Sequence, residues 1–254
     1  MSADVLTVTP ADGEALDRAL ARADAYRILA GALRDADDPA GEPTVDVETL
    51  EAVAGDLRVD PPPGAWEAMR RVADREPRAA EHRAIFGHVV AHGCPPYETE
   101  FGRQHVFAQS QQLGDIRGFY EAFGVRPRPG GERPDHVACE LEFLGLLALK
   151  EASAIAAGAA DHRDVTRAAA ASFITDHAGR WIVALAGRIG DRAPDSGLAA
   201  LTHLAASIVA DHAAELRCHP QTIAPDDVLP IDDEADGLSF ECALDSGDLV
   251  PPGA

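Results

Sequence analysis

The chain has 254 residues, 46% of them hydrophobic, enough to close a sizeable core; an aromatic share of only 5% leaves Ala, Leu, Val and Ile to build it. Its formal net charge of −21 repels a nucleic-acid backbone and anionic membrane surfaces, and it favours cationic partners. No apolar run approaches the roughly 20 residues that span a bilayer.

In chain order, Thr9-Pro10 opens a helix with proline at its first position and acids in its first turn. Leu16, Leu20, Ala23, Tyr26, Leu29, Ala30 and Leu33 recur at helical spacing, so residues 10–36 read as one amphipathic helix that DADDPAGEP ends. Short helices are expected at about 45–57, 64–74 and 77–91, each bounded by Pro, Gly or Asp. Leu113, Ile116, Tyr120 and Phe123 mark one face of a helix over 105–123, which Gly124 stops. After the GVRPRPGGERP loop, a long helix is predicted from Asp135 to about Ala157. A helical stretch follows over 161–190, divided near 176–178, and a last helix runs from Ser196 to about Leu216. Alternating Val/Ile/Thr runs are nearly absent, so no sheet is predicted.

The expectation is an all-α protein: a single helical domain of about eight helices over 1–218, with an irregular acidic extension over 219–254. The first twenty residues lack the basic-then-apolar pattern of an export signal, which points to a cytoplasmic protein. Cys94, Cys139, Cys218 and Cys242 form no C-x-x-C pair and read as reduced thiols.

The familiar catalytic signatures are missing from the sequence. No glutamate has a histidine three residues later, and H-E-x-x-H, the phosphate-binding G-x-x-x-x-G-K-[ST] and G-x-S-x-G are all missing. His88 and His92 are spaced i, i+4 with Cys94 just beyond, a geometry that suits zinc; with His136 they define the alternative reading, a helical metalloenzyme or metal-binding protein. The run Asp232-Asp233-Glu234-Ala235-Asp236-Gly237 is similar to a calcium loop, but the twelfth position is Ala243 where a bidentate glutamate is required. No cofactor is expected.

Two stretches concentrate ionisable and aromatic side chains. In CPPYETEFG, Cys94 to Gly102, prolines stiffen a loop carrying Tyr97, Glu98, Glu100 and Phe101. In PDHVACELEFLGLLALKE, Pro134 to Glu151, the expected helix start places Asp135 in its first turn, with His136, Glu140, Phe143 and Leu147 sharing one face. These motifs, Pro-Pro-Tyr-Glu at 95–98 and Pro-Asp-His followed by Glu-Leu-x-Phe-Leu at 134–144, resemble the TorD/DmsD/NarJ family of maturation chaperones for molybdenum-cofactor oxidoreductases. Phe119-Tyr120 and Phe123-Gly124 resemble the family's helix end before its linker, and the resemblance covers roughly residues 15–215.

The resemblance implies a non-catalytic cytoplasmic chaperone. Its partner would be the catalytic subunit of a molybdopterin-dependent oxidoreductase, bound at an N-terminal region that often carries a twin-arginine signal and held while its cofactor is inserted. Such a ligand presents guanidiniums followed by an apolar helix-forming segment. Glu98, Glu100, Asp135 and Glu140 are expected to meet the first, and Tyr97, Phe101, Phe143 and Leu147 the second, with His136 beside them.

Overall fold

The computed structural model describes residues 10–36, 44–87, 94–102, 106–128 and 130–227. Its α-helices are α1 (Pro10–Leu33), α2 (Val47–Leu57), α3 (Ala65–Arg71), α4 (Arg75–Phe86), α5 (Val106–Ala122), α6 (Val137–Ala156), α7 (Ala160–Phe173), α8 (Gly179–Arg192) and α9 (Gly197–Leu216). A π turn at Ile174–Ala178 joins α7 to α8 without a break, so the described chain has eight helical runs. Among the described residues there is no β-strand, only the isolated bridges Thr44↔Asp74 and Tyr97↔His136.

Local chemistry sets most of the boundaries. Pro10 occupies the first position of α1. Asp46 caps α2 by accepting the Thr49 N–H at 2.9 Å, and Ser196 caps α9 by accepting that of Ala199 at 3.0 Å. Thr175 Oγ1 donates to Ala171 O at 2.7 Å at the π turn, where the predicted division near 176–178 is found. The start of α6 corrects the sequence reading. Asp135 lies before the helix, and His136 is its N-cap, with Nδ1 accepting the Ala138 N–H at 3.1 Å. The predicted 77–91 helix stops at Gly87; its remaining positions, His88 among them, lie outside the described residues, as does His92.

One core runs from α1 to α9, with α6 packed along α1 and α8 along α9. Alanine makes the first pair close. Ala25, Ala30 and Ala32 are fully buried, and a Cβ placed on Gly145 of α6 would meet Tyr26 Cβ at 3.3 Å and Ala23 O at 3.5 Å. With few bulky side chains available, the core is built by bringing helix axes together.

After α9 the chain turns back across α8. The Ile223 N–H donates to Arg180 O at 2.7 Å, and Arg188 Nη1 donates to Pro225 O at 2.9 Å. Its far end meets the CPPYETEFG loop, where the Gly102 N–H, at a φ of 89° that suits glycine, donates to Asp227 O. Residues 228–254 lie outside the described residues.

Candidate functional site: a buried carboxylate cluster beside a groove

The two sequence motifs meet. The Glu98 N–H donates to Asp135 O and the Val137 N–H to Pro96 O, both at 2.9 Å, which draws Tyr97 against His136 with their rings 5.3 Å apart. Glu98–Glu100 forms a single 3-10 turn whose Thr99 faces Asp135. Asp135 Oδ2 accepts from Thr99 Oγ1 at 2.8 Å and from Arg133 Nη2 at 2.9 Å, while Oδ1 accepts from Arg133 Nε at 3.1 Å. This is a two-toothed Arg–carboxylate pair. The same guanidinium reaches Glu100 Oε1 at 3.3 Å and lies over the Tyr97 ring at 4.4 Å.

Glu98 points the other way, into the protein. Its Oε1 accepts from Gln112 Nε2 of α5 at 2.6 Å, and its Oε2 lies 3.1 Å from His177 Nδ1 in the π turn. Glu140 lies behind it, with Oε2 accepting the Trp181 indole N–H at 2.9 Å. Burial, reinforced by the negative charge of Glu98, raises the Glu140 carboxyl well above the carboxylate range. Glu140 Oε1 receives no donor. Burial therefore favours the protonated form of Glu140. Through Glu98 the loop is fastened to α5 and the π turn.

Burial separates these residues from the exposure the sequence reading expects. Glu98, Phe101, Asp135, His136, Glu140, Phe143 and Leu147 each expose 3% or less; only Tyr97 and Glu100 are partly open. Phe101 packs on Trp181 at 5.2 Å and Phe143 on Phe173 at 4.8 Å, while Leu147 lies in the core. The His136 ring is held neutral, its pKa lowered to about 3 by burial and by the charges of His82, Arg34 and Arg133. Tyr97 is pushed up to about 12 by burial and the nearby Glu132. Convergence is therefore present and display is not: in this conformation the carboxylates satisfy one another and Arg133.

The concave surface lies next to them. A groove of about 1050 Å³ runs between α5 and the α7–α8 junction. Phe119, Gly114 and Gly118 line it with Asp115 and Asp176, and Gln112 and His177, the two partners of Glu98, reach it from the buried side. Gln112 is 8% exposed, and its buried Oε1 has no partner among the described residues. Sequence reasoning missed Arg133, Gln112, His177 and Trp181. Arg133, two positions before Asp135, was the one within reach; His177 and Trp181 lie far from both motifs and carry no spacing signal.

Neither Cys94 nor Cys139 offers a thiolate. Cys94 is raised by burial, and Cys139 is pushed up to about 12 by burial and the charge of Glu142, so both are protonated at neutral pH. Among the described residues no group of three or more His, Cys, Asp or Glu is placed to hold a metal ion, and no helix is long and apolar enough to cross a membrane. His88 and His92, on which the metal reading rests, are outside those residues.

The sequence model described as nitrate reductase delta subunit matches residues 47–186. That span is narrower than the 15–215 suggested by the motifs, but it contains both of them, α5, α6 and the π turn. No curated protein and no solved structure matches the chain significantly. With more than half its length covered and both motifs inside the match, the chain belongs to the nitrate reductase delta subunit family of molybdoenzyme maturation chaperones.

Proposed function

We propose that the protein is a cytoplasmic chaperone that holds the apo catalytic subunit of a molybdopterin oxidoreductase by its N-terminal region, a twin-arginine signal where the client carries one, while the cofactor is inserted. The observation carrying this reading is the groove between α5 and the α7–α8 junction. Its floor is apolar at Phe119 and open at Gly114 and Gly118, and its walls bear Asp115 and Asp176 beside Arg180. An amphipathic client helix would lay its apolar face on the floor and pair a guanidinium with the wall carboxylates.

In this reading the motif residues act at two levels. Tyr97 and Glu100, partly exposed, extend the contact surface. Glu98, Phe101, Asp135, His136, Glu140, Phe143 and Leu147 are positioning residues that fix Gln112, His177 and the helices bearing them. A stiff, already ordered receptor reduces the conformational entropy lost on binding.

The test is calorimetric titration of the client's N-terminal peptide against the wild-type protein and an Asp115→Arg/Asp176→Arg variant. Both positions are exposed, so the melting temperature should hold. Binding is expected to weaken at least tenfold, about 1.4 kcal/mol. Unchanged affinity would remove the groove from the account. Failure of any molybdoenzyme catalytic subunit to co-purify with the wild-type chain would remove the function itself.

A further inference from the structure

The outer face of α6 carries two hollows in line. Phe143 and Leu146 floor the first, about 330 Å³, with Tyr120 and Val125 opposite. Ala154 and Ala157 floor the second, also about 330 Å³, against Phe123 and Val165. Helical spacing sets these α6 residues on one face, and the Phe123 ring, 5.8 Å from that of Phe143, stands between the hollows. At 1.5 Å per residue, the line from Cys139 to Ala157 is about 27 Å long.

Its rim is positive. Arg34 pairs with Glu142 at 2.5 Å, and Arg126, Arg128 and Lys150 stand against Glu132, on a chain whose net charge is −21. Lys150 is the only lysine in the sequence. It is exposed and makes no ion pair among the described residues; its Nζ rests 6.0 Å from the centre of the Phe123 ring. Among the described residues Arg126, with a side chain 81% exposed, pairs with the exposed Glu121 at 3.7 Å. Cations gathered beside apolar floor call for an anionic, partly apolar segment.

We propose that residues 228–254 of the same chain dock in this groove, carboxylates on the rim and apolar side chains on the floor. This stretch has seven acidic residues between Asp232 and Asp248 and no Lys or Arg, interleaved with Leu238, Phe240 and Leu244. Its starting point is fixed close by. Asp227 is held at Gly102, Glu100 two residues earlier pairs with Arg133 at 3.3 Å, and Arg133 adjoins Glu132 at the groove's first hollow. At about 3.3 Å per residue the segment reaches roughly 90 Å, several times the length of the groove. Tethering adds an effective concentration on the order of millimolar, so modest contacts suffice. This groove is separate from the one assigned to the client, so either assignment can fail alone.

Because Lys150 is the only side-chain amine, a zero-length carbodiimide applied to the full chain reads the docked segment directly. The reagent joins that amine to a touching carboxylate, and mass spectrometry of the digest identifies the partner. In dilute, low-salt solution Lys150 should couple to carboxylates within 232–248, with a yield independent of protein concentration. A Phe240→Ser/Leu244→Ser variant, which removes apolar contacts without adding carboxylates, should lose at least fivefold of that product. Coupling only to acids within 10–227, coupling that disappears on dilution and so reports a second copy, or no coupling at all would overturn the proposal.

Discussion

Glu140 shows at the scale of one residue how a carboxyl can serve as structure. Burial and the charge of Glu98 raise its carboxyl towards the protonated form, and its Oε2 holds the Trp181 indole. Glu140→Gln keeps an acceptor for Trp181 and, like the protonated carboxyl, carries no charge, so stability at pH 7 should change by less than about 1 kcal/mol. Glu140→Ala strands the Trp181 indole and opens a cavity, and should cost about 2–4 kcal/mol in urea unfolding. Equal losses in the two variants would contradict the protonated carboxyl. His136 supplies a pH signature of definite sign. Its folded pKa of about 3 lies below the ordinary imidazole value, so its contribution is present above about pH 6.5 and is lost as pH falls towards 3. His136→Asn retains an N-cap side chain and should flatten the stability curve between pH 6 and 4 by up to about 1.4 kcal/mol per pH unit. Parallel curves for the two proteins would show that the ring is not buried neutral. Both motifs were legible in the letters as places where chemistry concentrates. Their inward orientation was not, because burial of Glu98 and Asp135 depends on Gln112, His177, Thr99 and Arg133, partners supplied by other elements.

At the scale of elements, periodicity and punctuation located the helices to within a few residues. The division of the 161–190 stretch is the clearest case, realised as the π turn Ile174–Ala178. That turn brings His177 to Glu98, a consequence visible only after folding. The α6 start shows the limit of dipole reasoning: Pro134 and Asp135 resemble a first turn, but the backbone pairing of residues 96–98 with 135–137 holds them outside the helix and leaves the cap to His136. Gly145 controls how near α6 comes to α1. A valine there meets Tyr26 and the Ala23 carbonyl in a face that has no slack. Gly145→Val should therefore lower stability by about 2–3 kcal/mol and the melting temperature by about 5–10 °C. A melting temperature at or above that of wild type would show that the alanine-built interface is looser than described.

For the whole molecule, composition anticipated an alanine-rich helical core and a strong negative charge, but not how that charge is distributed. Carboxylates that seemed available for a client are consumed internally, while Asp115 and Asp176, which no motif marks, stand on the walls of the large groove. Family membership rests on the sequence model and the paired motifs; the proposed position of the client rests on the groove, and hydrogen exchange tests it most directly. When the client's N-terminal peptide is added, amide protection should rise along α5 and through residues 174–181, with α1 and α2 unchanged. Protection confined to α1 and α2, with α5 exchanging as in the free protein, would contradict the account.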